Sequence, residues 1–136
     1  MSYLVLDASC AIGWMVDTPT PRLALRALQL LQSGSIGVVP DLWHYEVTNA
    51  LVVAERRGRV SAQVVSGHIS DIERLAAFLE LSPTTPSALM TAARHSGLTA
   101  YDAAYFELAL RRNLPLATLD DKLRAAAQKA GIELVR

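Results

Sequence analysis

The chain has 136 residues, of which 51% are hydrophobic, and its 13 basic and 13 acidic side chains leave no net charge. This balance is typical of a globular domain and excludes an intrinsically disordered chain, while the absence of a basic excess counts mildly against binding nucleic acid through bulk electrostatics. The single cysteine, Cys10, excludes an internal disulfide. No segment approaches the run of about 20 apolar residues that spans a membrane, and the N-terminus lacks the basic region of a signal peptide. We therefore expect a cytoplasmic protein with no membrane association.

Short apolar runs alternate with stretches of helical periodicity along the chain. The predicted strands are Tyr3–Leu6, Ile36–Val39, Phe78–Leu81, Leu114–Thr118 and Ile132–Val135. The predicted helices are Ala8–Val16, Pro21–Gln32, Asp41–Arg57, Ser61–Ala77, Ser87–His95, Thr99–Arg112 and Asp120–Ala130, with Asp41 and Thr99 as N-caps. Strands separated by helices predict an α/β sandwich with a mainly parallel sheet, here of five strands, and a single domain over residues 1–136.

Four acidic residues occupy positions that such a fold brings together. Asp7 directly follows the first predicted strand, and Asp120 follows the fourth; ligands of open parallel sheets bind at these carboxyl ends. Asp102 lies in the first turn of its helix, and Glu46 lies near the start of another, with Asn49 on the same face. Grouped carboxylates are the ligands that Mg²⁺ and Mn²⁺ prefer, and their mutual repulsion favours a bound cation.

Each acid taken alone also has a purely structural interpretation. Asp7 suits a turn or helix cap, and Asp102 suits a capping box with Thr99. Glu46 is harder to explain in this way, because it lies on an otherwise apolar helix face where an unpaired carboxylate is costly. Asp121 is interpreted as an exposed first-turn acid or a supporting ligand. The remaining acids are interpreted as surface or cap positions: Asp17, Asp41, Glu55, Asp71, Glu73, Glu80, Glu107 and Glu133.

Four segments resemble, in order along nearly the whole chain, the motifs of PIN-domain ribonucleases. They are residues 6–9 (LDAS), 40–49 (PDLWHYEVTN), 98–105 (LTAYDAAY) and 116–123 (LATLDDKL). The third and fourth segments are the most specific. The resemblance implies a three-layer α/β/α sandwich in which Asp7, Glu46, Asp102 and Asp120 hold Mg²⁺ or Mn²⁺. It also implies hydrolysis of single-stranded RNA that leaves a 3′-hydroxyl and a 5′-phosphate.

The length of the chain further resembles the VapC toxins of bacterial toxin–antitoxin pairs, which usually dimerise and are silenced by a VapB antitoxin. The resemblance therefore implies a metal-dependent endoribonuclease that forms a homodimer and has a VapB-like partner. In this hypothesis, the hydroxyls of Ser9 and Thr118 orient the metal-binding carboxylates or waters. Asn49 does the same or contacts a phosphate.

Contacts to RNA are less well defined by the sequence. Trp14, Trp43 and Tyr45 are candidates for stacking on bases, although aromatic residues at this spacing also suit a core or an interface. The arginine-rich segment 56–59 lies at a predicted helix end, where its charges need no role beyond complementing the helix dipole.

Other functional classes have weaker support. An aspartyl-nucleophile phosphatase usually carries an acid two residues after the first Asp, and Ser9 stands there. A zinc deaminase is excluded because the Pro-Cys-x-x-Cys that accompanies a motif such as His44-Tyr45-Glu46 is missing. A non-catalytic binding module remains open, since leucine-rich helices such as Leu23–Leu31 could form a dimer face or an antitoxin groove.

Overall fold

Four short strands form the centre of the fold in the computed structural model, which describes residues 2–136. They are β1 (Tyr3–Leu6), β2 (Ile36–Val39), β3 (Leu79–Leu81) and β4 (Leu116–Ala117). The strand order is β3-β2-β1-β4, and every neighbouring pair is parallel. The last three residues of β1 and of β2 are buried, as their continuous apolar sequences require when helices cover both faces of a sheet.

Seven α-helices flank this sheet and confirm the predicted α/β/α fold class. They are α1 (Ala8–Met15), α2 (Arg22–Gln32), α3 (Leu42–Arg56), α4 (Ala62–Leu75), α5 (Pro86–Ser96), α6 (Ala100–Arg112) and α7 (Asp121–Lys129). A 3₁₀ turn over Ala76–Phe78 leads into β3. Helix α1 packs against α2 and α3, and α6 packs against α5 and α7. Within residues 2–136, no helix combines the length and the apolar character needed to cross a membrane.

The prediction of a fifth strand over Ile132–Val135 was wrong. This segment runs beside β4 but forms one isolated parallel bridge, between Leu116 and Leu134. The main-chain nitrogen of Leu116 donates to the carbonyl of Glu133 at 2.8 Å, and the nitrogen of Val135 donates to the carbonyl of Leu116 at 2.9 Å. The ladder does not extend to Leu114, the preceding residue on the same side of the strand, because its main-chain nitrogen donates instead to the carbonyl of Ala109 at 3.1 Å.

Side-chain caps define the starts of four helices. Ser61, Thr85, Thr99 and Asp120 each accept a hydrogen bond from the main-chain nitrogen three residues later, at the N-termini of α4, α5, α6 and α7. The prediction that Asp41 caps α3 was wrong. Its backbone is already helical, with φ −53° and ψ −32°, and its side chain makes no cap hydrogen bond.

Glu107 also departs from its predicted surface position. Its side chain is buried on α6, where Oε1 accepts a hydrogen bond from Arg111 Nε at 2.7 Å. Arg111 donates in addition to Ser82 Oγ at 3.2 Å. The i, i+4 spacing of the pair allows the carboxylate to be buried with its charge compensated.

Two glycines in helices provide a matched test of this packing. A methyl group on Gly13 of α1 would lie 3.2 Å from Ala24 Cβ of α2 and 3.2 Å from Leu119 Cδ1, whereas a methyl group on Gly67 of α4 would meet nothing within 4 Å. We expect Gly67→Ala to raise the free energy of unfolding by about 0.5–1 kcal/mol through helix propensity. Gly13→Ala should lower it, because overpacking costs about 1–3 kcal/mol. Urea denaturation measures both; equal stabilisation would show that α1 and α2 are packed less closely than described.

Candidate metal centre

The candidate site lies at the carboxyl ends of β1 and β4, where the order of strands along the chain changes direction. The two strands pair in parallel with Leu6 opposite Ala117, so the residues that follow them, Asp7 and Thr118, emerge side by side. The nitrogen of Asp7 donates to the carbonyl of Ala117 at 2.9 Å. Ligands of open α/β sheets bind at such a switch point.

Asp7 is buried and is held by hydroxyl groups. Its Oδ2 accepts hydrogen bonds from Ser9 Oγ and from Thr118 Oγ1, each at 2.6 Å. The same hydroxyl oxygens accept from the main-chain nitrogens of Leu119, at 2.9 Å, and Asp120, at 3.0 Å. The other oxygen of Asp7, Oδ1, accepts no side-chain or loop hydrogen bond in the part of the chain that is described. The carboxylate is therefore fixed in orientation with one oxygen left for a ligand.

Asp120 is fixed in a similar way. Its Oδ1 accepts the N-terminal hydrogen bond of α7 from the nitrogen of Leu123 at 2.8 Å. The loop before it is held by Arg124, whose Nη1 donates to the carbonyl of Thr118 at 3.1 Å. The turn that carries Asp120 is thus hydrogen-bonded to Ser9 of α1 and to α7.

Glu46 and Asp102 reach the same region from the starts of α3 and α6. Glu46 is half-buried, and its Oε1 accepts a hydrogen bond from the hydroxyl of Tyr105 at 2.6 Å. Tyr105 is fully buried on α6, three residues after Asp102. This role of Tyr105 was missed from the sequence, although a tyrosine in an apolar helix signals that its hydroxyl needs a buried partner.

Burial and mutual repulsion disfavour the charged forms of Asp7, Glu46 and Asp102, with Lys122 opposing the effect at Asp102. Burial raises the pKa of Asp7 and that of Glu46, against the opposing hydrogen bonds from Ser9, Thr118 and Tyr105. Burial likewise raises the pKa of Asp102. Repulsion acts in the same direction: the charges of Asp102 and Asp120 raise the pKa of Asp7, and the charge of Asp7 raises the pKa of Glu46. None of the four acids forms a salt bridge within residues 2–136.

These residues fit a hard divalent cation that keeps part of its water shell. The donors are all carboxylate oxygens, the chemistry that Mg²⁺ and Mn²⁺ favour. Within residues 2–136, no group of three or more His, Cys, Asp or Glu side chains lies close enough together to hold a metal ion as the side chains stand; Mg²⁺ is usually bound through one or two carboxylates with waters. The nearby Cys10 is fully buried, and burial raises the pKa of its thiol to about 12, so it is not a thiolate ligand.

The other residues predicted to support the site differ in their placement. Ser9 and Thr118 contact Asp7 directly. Asn49 is exposed on α3 one turn after Glu46, and Asp121 is exposed in the first turn of α7. Neither forms a hydrogen bond with the four acids in the described part of the chain, so their supporting roles stay predictions.

The aromatic residues proposed to stack on bases are only partly available. Trp43 is fully buried in the core, and Trp14 is partly buried, with its indole nitrogen donating to a backbone carbonyl of α2. Tyr45 is 75% exposed. Tyr101, which the sequence interpretation missed, is 66% exposed. Each of these tyrosines directly precedes one of the four acids along its helix, although neighbouring residues of a helix point in different directions.

Comparison with known proteins identifies the family. The PIN domain family model matches residues 4–129. The chain belongs to the PIN domain family. Members of this family are generally nucleases and typically use divalent metals, which agrees with the resemblance found in the four sequence motifs.

Two crystal structures have the same fold. PAE2754 from Pyrobaculum aerophilum is 27% identical, with a TM-score of 0.70 over 99% of this chain and 84% of that one. VapC20 from Mycobacterium tuberculosis, a sarcin-ricin loop cleaving toxin, is 17% identical, with a TM-score of 0.64 over 99% of both chains. At this identity, the second similarity shows the fold alone. A comparison with curated proteins finds no match.

The hydroxyl of Thr118 allows a direct test of how the site is held together. Thr118→Val keeps the shape of the side chain but leaves Asp7 with one hydroxyl donor and the Asp120 nitrogen without an acceptor. We expect a loss of about 1–3 kcal/mol in the free energy of unfolding, the cost of unsatisfied buried polar groups. Thr118→Ser, which keeps the hydroxyl, is the matched control and should lose less. Urea denaturation of the metal-free proteins measures the free energy of unfolding of both variants. A valine variant at least as stable as the serine variant would contradict the described hydrogen bonds of Thr118.

Proposed function

We propose that this PIN domain is a metal-dependent endoribonuclease that cleaves single-stranded RNA and is the toxin of a toxin–antitoxin pair. The observation that carries the proposal is that four carboxylates influence one another near the switch point between β1 and β4, and that none of them forms a salt bridge within residues 2–136. Membership of a family of nucleases supports phosphodiester hydrolysis as its chemistry.

The proposed metal ligands are Asp7, Glu46 and Asp102, with Asp120 holding the same ion or a second one. A bound Mg²⁺ or Mn²⁺ supplies Lewis-acid chemistry, in which it polarises a phosphoryl oxygen and makes a water more acidic. Hydroxyls hydrogen-bond one carboxylate oxygen of Asp7 and one of Glu46, and the second oxygen of each accepts no side-chain hydrogen bond within residues 2–136. These bonds fix the ligands before the metal arrives, which is how residues behind a metal site raise its affinity.

Single-stranded RNA is the substrate that the surroundings of the site support best. Tyr45 and Tyr101 are exposed on α3 and α6, the helices that carry Glu46 and Asp102. Aromatic rings stack on bases that are unpaired and splayed out, whereas the bases of a duplex are covered by their neighbours. The two tyrosines therefore favour a single strand or a loop over an RNA duplex.

The toxin role rests on the similarity of fold to VapC20 over 99% of both chains. The proposal includes a VapB-like antitoxin and a homodimer as partners. Exposed apolar side chains offer contact area for such partners: Leu25, Val64, Phe78, Leu81, Met90 and Leu110. The phosphatase alternative gains no support, because Ser9 hydrogen-bonds Asp7 at the position where that class carries an acid.

Cleavage of RNA by the purified protein tests the proposal. With Mg²⁺ or Mn²⁺ we expect single-stranded RNA to be cut to products with a 5′-phosphate and a 3′-hydroxyl, and EDTA to abolish the reaction. Asp7→Asn should lower kcat/KM at least about 100-fold, since loss of a residue that only supports a metal ligand already costs about 10- to 100-fold.

The matched control is Asp17→Asn, which removes the same charge from an exposed position beyond the opposite end of α1. This variant should cleave RNA as the unaltered protein does. Cleavage that persists in EDTA or in Asp7→Asn would contradict the assigned site. Failure of the folded, antitoxin-free protein to cut a range of single-stranded RNAs would contradict the proposed function.

A further inference from the structure

A groove of about 820 Å³ between α2, α7 and the C-terminal segment is lined by four arginines: Arg22, Arg26, Arg124 and Arg136. We call it the arginine groove. Its other lining residues are Leu23, Leu25, Gln29 and Val135, so no acidic side chain lines it. None of the four arginines forms a salt bridge within residues 2–136. A chain with no net charge thus concentrates four of its 13 basic residues around one groove.

The charges on α2 do not stabilise their own helix. Arg22 is the first residue of α2, where the helix dipole disfavours a cation. Arg26 follows four residues later, a spacing at which like charges repel each other. The helix sequence Arg22–Gln32 contains no acidic residue that could compensate them. Glu133 lines the neighbouring cavity that Arg26 also lines, but no salt bridge compensates either arginine within residues 2–136, so an external anion would stabilise the pair.

The arginine groove begins beside the acidic cluster. Both Pro21, which precedes α2, and Leu119 lie within 3.5 Å of the position of a Cβ on Gly13, so the start of α2 is close to the loop after β4. That loop carries Asp120. Arg124, on the groove wall, donates to the carbonyl of Thr118, whose hydroxyl holds Asp7.

We propose that the arginine groove binds the backbone phosphates of the RNA strand on one side of the bond that is cleaved. This inference rests on the proposed nuclease function and adds the path of the substrate to it. A cluster of carboxylates repels a polyanion, so a strand entering the site needs positive surface next to it. Guanidinium groups bind phosphate through paired N–H donors, and four of them neutralise successive phosphates locally without a basic excess in the whole chain.

The double variant Arg22→Gln/Arg26→Gln tests this inference. Binding to a fluorescent single-stranded oligouridylate is measured by anisotropy over a range of salt concentrations, with EDTA present to prevent cleavage. Each phosphate contact contributes about −0.7 to the slope of log K against log salt for a single strand. The double variant should therefore have a slope smaller in magnitude by about 1.4, and an affinity at low salt that is lower by about tenfold or more.

The matched control is Arg56→Gln/Arg57→Gln, which removes the same charge from two exposed arginines at the end of α3. These lie about 15 Å along the helix from Glu46, at 1.5 Å per residue. The control should bind RNA with unchanged affinity and slope. In cleavage assays with Mg²⁺, we expect the Arg22→Gln/Arg26→Gln variant to have a higher KM and an unchanged kcat at saturating RNA. The two arginines bind the strand and do not touch the reacting phosphate.

Three results would overturn the inference. The Arg22→Gln/Arg26→Gln variant could bind RNA with the same salt dependence as the unaltered protein while RNA is still cleaved. That result would show that the arginine groove does not bind RNA, and it would leave the proposed nuclease function intact. The control could weaken binding as much as the groove variant, which would show that only total charge matters. The groove variant could lose binding to polyglutamate but not to RNA, which would assign the groove to an acidic protein segment. Unaltered protein that neither binds nor cuts RNA would instead refute the proposed function itself.

Discussion

The structure of the site depends on one buried carboxylate. Asp7 directly follows β1, and Thr118 directly follows the neighbouring strand β4. The hydroxyl of Thr118 donates to Oδ2 of Asp7 at 2.6 Å. An isolated carboxylate in this position would be too costly to bury. The hydroxyls of Ser9 and Thr118 compensate part of that cost and also accept the nitrogens of the loop after β4, so the orientation of Asp7 and the path of the chain toward Asp120 are set together.

Two of the remaining acids, Glu46 and Asp102, lie near the starts of helices. Because β2 leads into α3 and α6 leads back to β4, both helices begin at the carboxyl edge of the sheet. The bond between Tyr105 and Glu46 joins these two helices directly. Burial, together with weaker repulsion among the acids, raises the pKa of Asp7 and of Glu46 and favours a dication between them. Outside this centre lies the positively charged arginine groove, to which we propose that an RNA strand binds.

The sequence predicted the fold because it follows from local patterns, whereas the role of the four acids as metal ligands stays a prediction. The periodicity of short apolar runs located β1 and β2 at their observed bounds, and an acid directly after a buried strand is visible without a structure. It did not predict contacts between distant segments. The partner of Tyr105 lies on another helix, and the exposed ring of Tyr101 and the buried one of Trp43 look alike in sequence. The fifth strand was predicted wrongly because an apolar run such as Ile132–Val135 does not show how many backbone hydrogen bonds it forms with the neighbouring strand β4.

Binding of Mn²⁺ to the metal-free protein, followed by the electron paramagnetic resonance of the free ion, tests the central claim that these carboxylates form a metal site. The account predicts saturable binding that Asp7→Asn abolishes. Tyr105→Phe, which removes the hydroxyl behind Glu46 and no ligand, should weaken binding about 10- to 100-fold. Binding of equal affinity in the unaltered protein and in folded Asp7→Asn would show that the carboxylate on which the site is built does not hold the metal.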